Sequence, residues 1–135
     1  MKKLFFATLV LFVFLGNACK DQRDEEVETI MVRFQNQLSQ DITEAYYDFD
    51  PAHQTTIGFI PAGGTTDYIE FSYFQVGDGI PMGLLRGKKG GEDFSAWAGL
   101  WCGTGVTFYQ LEPGKYTIEI LDEDAILANA YMRLK

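Results

Sequence analysis

The chain is poor in the residues that carry most enzyme chemistry. It has one histidine, His53, and two cysteines, Cys19 and Cys102, among 135 residues. A Ser-His-Asp or Cys-His site would have to use that histidine, and no Gly-x-Ser-x-Gly nucleophile elbow accompanies it. His53 sits in Asp50-Pro51-Ala52-His53-Gln54 and reads as an exposed loop residue. A zinc site built from His and Cys lacks ligands. Asp48, Asp50, Asp78 and the run Asp122-Glu123-Asp124 could offer oxygens to calcium. None keeps the spacing of an EF-hand, so they read as solvated loop tips. Gly103-Thr104-Gly105 lacks the lysine and helix that a phosphate loop requires, and reads as a turn. The expectation is a protein without catalytic residues, metal or cofactor: a non-enzyme.

Positive charge is also scarce. Eleven Lys and Arg stand against nineteen Asp and Glu, for a formal charge of −8. A domain this acidic repels phosphate backbones, so nucleic acid is excluded as a partner. Long apolar runs are missing too. The longest, Leu4 to Leu15, would span roughly 18 Å as a helix, too short for a bilayer core of about 30 Å. It follows Met1-Lys2-Lys3 and fits the apolar region of a signal peptide.

Gly16-Asn17-Ala18-Cys19 closes that segment. Small residues before a cysteine resemble the lipobox of bacterial lipoproteins, with Leu15 one place further from the cysteine than is usual. The resemblance implies cleavage after Ala18, acylation of Cys19 (palmitate among the acyl chains) and attachment to a membrane through those chains. Residues 1–18 are then a lipoprotein signal peptide. Residues 19–28 form a lipidated, charged tether, because Lys20-Asp21-Gln22-Arg23-Asp24-Glu25-Glu26 can bury no apolar surface. Loss of Lys2 and Lys3 takes the formal charge from −8 to −10, so the acyl chains must do the holding. The acidic tether resembles those of outer-membrane lipoproteins, on the surface-exposed or the periplasmic face. Only Cys102 then remains, and no intrachain disulfide can form.

Residues 29–135 read as one β domain. Ile30, Val32, Phe34 and Leu38 alternate with polar residues, broken only by Asn36, the pattern of a half-buried strand. Similar stretches recur at 42–49, 54–60, 68–75, 80–87, 94–102, 106–111, 115–121 and 126–134. Turn clusters such as Pro61-Ala62-Gly63-Gly64 and Lys88-Lys89-Gly90-Gly91 separate them. About seven or eight short strands at this spacing predict an all-β, antiparallel, immunoglobulin-like sandwich, with a small barrel as the alternative.

Leu111-Glu112-Pro113-Gly114-Lys115-Tyr116 resembles a turn of immunoglobulin-like and transthyretin-like sandwiches. There Pro and Gly set the turn, Gly with a positive φ, and the Tyr hydroxyl bonds back to upstream backbone. With Trp101-Cys102-Gly103-Thr104-Gly105, the lipobox and the tether, the chain resembles small β-sandwich lipoproteins of Gram-negative bacteria. The resemblance implies a fold and an address but no catalytic residues.

The segment 94–102 offers the candidate binding feature. Phe94, Ala96, Ala98, Leu100 and Cys102 share one face, which should be core and should bury the Cys102 thiol. Ser95, Trp97, Gly99 and Trp101 share the other. Trp97 and Trp101 would make a ledge of about 13 Å on which a sugar could stack; packing beneath a loop is the alternative. The functional expectation is a membrane-anchored, non-enzymatic interaction or structural module, its partner a glycan or another envelope protein. A glycan-binding module using Trp97 and Trp101 is the competing reading.

Overall fold

The computed structural model describes residues 27–50, 52–97, 105–122 and 130–135. Cys19, most of the tether, Trp101, Cys102, Gly103 and Thr104 lie outside the described residues. The described chain is all-β. Its strands are β1 (Ile30–Asn36), β2 (Ile42–Asp50), β3 (His53–Ile60), β4 (Ile69–Phe71), β5 (Gln75–Gly77), β6 (Ile80–Pro81), β7 (Leu84–Lys89), β8 (Glu92–Trp97), β9 (Tyr109–Gln110), β10 (Gly114–Leu121) and β11 (Ala130–Leu134).

Eight of these form one sheet in the order β3-β2-β7-β8-β11-β10-β1-β4, and β6-β5-β9 form a second, smaller one. Pairing is not antiparallel throughout, contrary to the expectation from the number and spacing of the strands. β1 runs parallel to β10 from Ile30↔Gly114 to Asn36↔Ile120, and β8 runs parallel to β11 at Ala96↔Ala130 and Trp97↔Tyr131. Alternating polarity specifies which face is buried but not which neighbour a strand takes.

The large sheet curls into a nearly closed barrel. β4 occupies the free edge of β1 at Ile30–Val32. The chain leaving β3 occupies the rest: Asn36 N donates to Gly64 O at 2.8 Å and Thr66 N donates to Phe34 O at 2.9 Å. Asn36, the polar break in the apolar face of β1, sits at this seam with 0% exposure. Its Nδ2 donates to Gln40 O at 2.9 Å and Ile60 O at 3.3 Å, and its Oδ1 accepts from Leu38 N at 2.9 Å. A buried amide pays its desolvation only when so bonded.

Inside the curl lies the core: Val32, Phe34, Ile42, Tyr47, Ile60, Phe71, Phe74, Leu85, Ile118, Ile120 and Met132 are all buried. The Tyr47 ring stacks on Phe74 at 5.0 Å and meets Phe71 edge-on at 5.8 Å. Its hydroxyl donates to Met82 O, and burial pushes the phenol well above its ordinary pKa. Gly83 is required beside it, since a Cβ there would come within 2.8 Å of the Tyr47 hydroxyl. This close approach divides the stretch 80–87 into β6 and β7. The faces shift with it: Pro81 and Leu85 are buried, and Ile80, Met82 and Leu84 are only half-buried. The stretch 68–75 likewise splits, because Ser72-Tyr73-Phe74 passes from the large sheet to the small one.

The turn before Tyr116 corrects one expectation and meets another. Tyr116 Oη donates to Glu112 O at 2.9 Å. Gly114, however, is not among the glycines with positive φ. It begins β10, where its N–H donates to Thr29 O at 3.0 Å. Space is what it provides: a Cβ would lie 3.2 Å from the Tyr116 hydroxyl.

Candidate functional site

The β7–β8 hairpin positions Trp97. Gly90 and Gly91, at φ 61° and 88°, form its two-residue turn, the backbone that matches hairpin twist. Register then runs from Lys89↔Glu92 to Leu84↔Trp97. Lys88 and Lys89 thus belong to β7, opposite Asp93 and Glu92, rather than to the tip. The face assignment for this strand holds as far as it is described: Phe94 and Ala96 point into the core, and Trp97 points out at 37% exposure. The other tryptophan of the expected ledge, Trp101, and the thiol of Cys102 lie beyond the described residues.

Register identifies what stands beside Trp97. Leu84 flanks it on β7 and Tyr131 on β11; Asp48 of β2 follows beyond Leu84. The next row along the strands is Thr56, Tyr46, Arg86 and Ser95. Arg86 Nε reaches Asp48 Oδ2 at 3.3 Å, tying the rows together. The outer face of β2, β7, β8 and β11 therefore presents aromatic rings among charged and hydroxyl groups.

A bulge in β2 hollows this face. Glu44 takes φ 53°, outside the range a residue with a side chain prefers. Register slips here against both neighbours: between Thr43 and Tyr46 toward β7, and on either side of Ala45 toward β3. Two cavities open at the slip and share Glu44 and Tyr46. One, of about 290 Å³, is lined also by Arg86, Gly87, Lys88, Asp93 and Phe94. The other, of about 350 Å³, is lined also by Ala45, Gln54, Thr56 and Gly58. Lys88 Nζ lies 3.2 Å from Glu44 Oε2 across the first. Alternation puts Glu44, Tyr46 and Asp48 on one face in the sequence, as observed. It also puts Ile42 there, which the bulge turns inward to the core. No residue pattern announced the bulge, because Glu is not a residue that favours positive φ.

Elsewhere, His53 begins β3, exposed, with its ring 5.8 Å from Tyr73. On the outer face of β1, β10 and β11, Glu119 is buried beneath Arg133, whose Nη2 donates at 2.8 Å, with Lys135 at 3.8 Å. The hydrogen bond from Arg133 holds the Glu119 carboxyl below the usual carboxylate range.

No protein-family model matches the chain, and neither does any curated protein. Among solved structures, the NMR structure of the protein from Eubacterium rectale is similar at 16% identity, over 82% of this chain and 91% of that one, with a TM-score of 0.49.

Proposed function

We propose that the chain is a membrane-anchored bacterial lipoprotein whose β domain is a non-enzymatic recognition module, its contact surface the outer face around Trp97. The observation that carries the reading is the exposure of that indole, 37%, on a strand whose alternate residues Phe94 and Ala96 are buried. A tryptophan held out of a well-packed strand, in register with Leu84 and Tyr131, offers a rigid apolar body with an N–H donor. Interfaces are enriched in such residues. The address rests on the signal-like segment 1–18 and on Cys19. Kinship with immunoglobulin-like lipoproteins belongs to the same proposal and is supported by the Tyr116–Glu112 hydrogen bond in the strand before the last described one.

The anchor is tested by mass spectrometry of membrane-extracted protein, which should give an acylated cysteine at position 19 as the new N-terminus. Cys19→Ser should leave the protein unacylated, either soluble or with its leader uncut. A parent protein that is soluble and starts elsewhere would overturn the anchor.

A second reading, a glycan-binding module, is supported by polar groups on the same outer face: Asp48 follows beyond Leu84, the β7 neighbour of Trp97, and is paired with Arg86 at 3.3 Å, a source of donors and acceptors for sugar hydroxyls. Titration of the full chain in detergent with neutral oligosaccharides should then change tryptophan fluorescence. No change with any of them would leave the module without this ligand class.

A further inference from the structure

The hollow at the β2 bulge lies one row from Trp97 and is a more enclosed feature than the ring itself. We infer that the two cavities flanking Tyr46 form a groove that binds an internal stretch of a neutral glycan chain. The inference rests on the glycan reading of the same outer face and extends it to a second set of residues.

Three observations lead there. First, the shape is that of a trough divided by an aromatic ring. The cavities, about 290 and 350 Å³, share Glu44 and Tyr46 as a common wall, so a ligand filling both must pass over the tyrosine. A chain of rings stacked on Tyr46 does this; a compact solute fills one side only. Gly58 lines the second cavity, and the space beside it is open: a Cβ built there would meet nothing within 4 Å.

Second, the lining is charged but balanced. Lys88 faces Glu44 at 3.2 Å and stands opposite Asp93, while Arg86 is held by Asp48 at 3.3 Å. Each cation already has a carboxylate, so the groove presents no surplus field for an anionic ligand, and the chain as a whole, at −8, repels one. Paired charges, with Gln54 and Thr56 beside them, still present donors and acceptors side by side, which suits the hydroxyls of an uncharged sugar.

Third, among the described residues the backbone takes an unfavourable conformation at this point and almost nowhere else. Glu44 and Asp78 are the non-glycine residues with positive φ among those described. Asp78 lies in the Gly77-Asp78-Gly79 turn, where Asp tolerates that conformation. Glu44 lies within a strand, and it lines both cavities in this conformation, the kind of local cost that clusters at ligand sites.

The test is affinity electrophoresis of the detergent-solubilised full chain through gels containing neutral polysaccharides (xylan, glucomannan, β-glucan, dextran) or acidic ones (polygalacturonate, heparin). Retardation by at least one neutral polymer is expected. Tyr46→Ala should weaken it at least about tenfold, the loss of a truncated aromatic anchor, while Tyr46→Phe, which keeps the ring, should retain it. Thermal melts of both variants establish that they remain folded. If Trp97→Ala abolishes binding but folded Tyr46→Ala leaves it intact, the groove is overturned and the Trp97 surface stands. Retardation by the acidic polymers alone would overturn the ligand class, and retardation by none would overturn the groove.

Discussion

The two halves of the large sheet are built to different standards. β1 and β10 keep one register through seven consecutive pairs, from Ile30↔Gly114 to Asn36↔Ile120. Their inner faces supply Val32, Phe34, Ile118 and Ile120 to the core, and their outer face is closed over by the Glu119–Arg133 pair. β2 slips against both neighbours at one place, carries a strained Glu44, and hollows its outer face. A bulge turns a side chain and opens a gap between neighbours. The regular half supplies much of the core, and the irregular half carries the surface proposed for recognition.

That contrast can be broken by mutation. Phe34→Ala, in the regular half, removes a fully buried ring that lies 5.8 Å from Tyr47 and 6.4 Å from Phe71. A loss of about 3–5 kcal/mol is expected in denaturant melts. Asn36→Ala should cost about 2–3 kcal/mol, because it strips partners from Leu38 N, Ile60 O and Gln40 O at the seam.

Acid should act on the regular half as well, with a smaller effect. The Glu119 carboxyl is lowered from its ordinary 4.5 mainly by the hydrogen bond from Arg133. Its stabilisation is therefore full above that value and fades as pH falls through the lowered folded-state pKa, since the unfolded chain takes up the proton first. Glu119→Gln should flatten part of the stability loss below pH 4.5, measured as melting temperature against pH. The smallest expected effect lies in the irregular half and has the opposite sign. Glu44→Gly relieves a positive φ and should stabilise by about 0.5–1 kcal/mol, the relief partly offset by glycine's entropy. The exposed pair to Lys88 that it removes contributes little.

Much of the regular half was legible in the sequence. Ile30, Val32 and Phe34 were placed on a buried face by alternation alone, and the Asn36 exception to that face turned out to close the seam. Strand neighbours were not legible: the parallel pairs β1/β10 and β8/β11 join residues more than thirty positions apart, which no local pattern reports. In the irregular half the outward face of Trp97 followed from Phe94 and Ala96 pointing inward. The groove did not follow. It depends on a bulge at Glu44 and on the spacing of Arg86 and Lys88 across a sheet, both set by tertiary pairing. Gly114 departs from its sequence context for a related reason: the context fits a turn, but the residue begins β10 and provides space beside the Tyr116 hydroxyl.

The division of labour between the halves meets its most direct test in the denaturant melt of Trp97→Ala beside that of Phe34→Ala. If Trp97 belongs to a contact surface, its truncation should leave stability within about 0.5 kcal/mol of the parent, as surface substitutions do, while Phe34→Ala falls by several. A loss of about 3–5 kcal/mol for Trp97→Ala would mean that the indole is packed as core, and would contradict the assignment of recognition to this face.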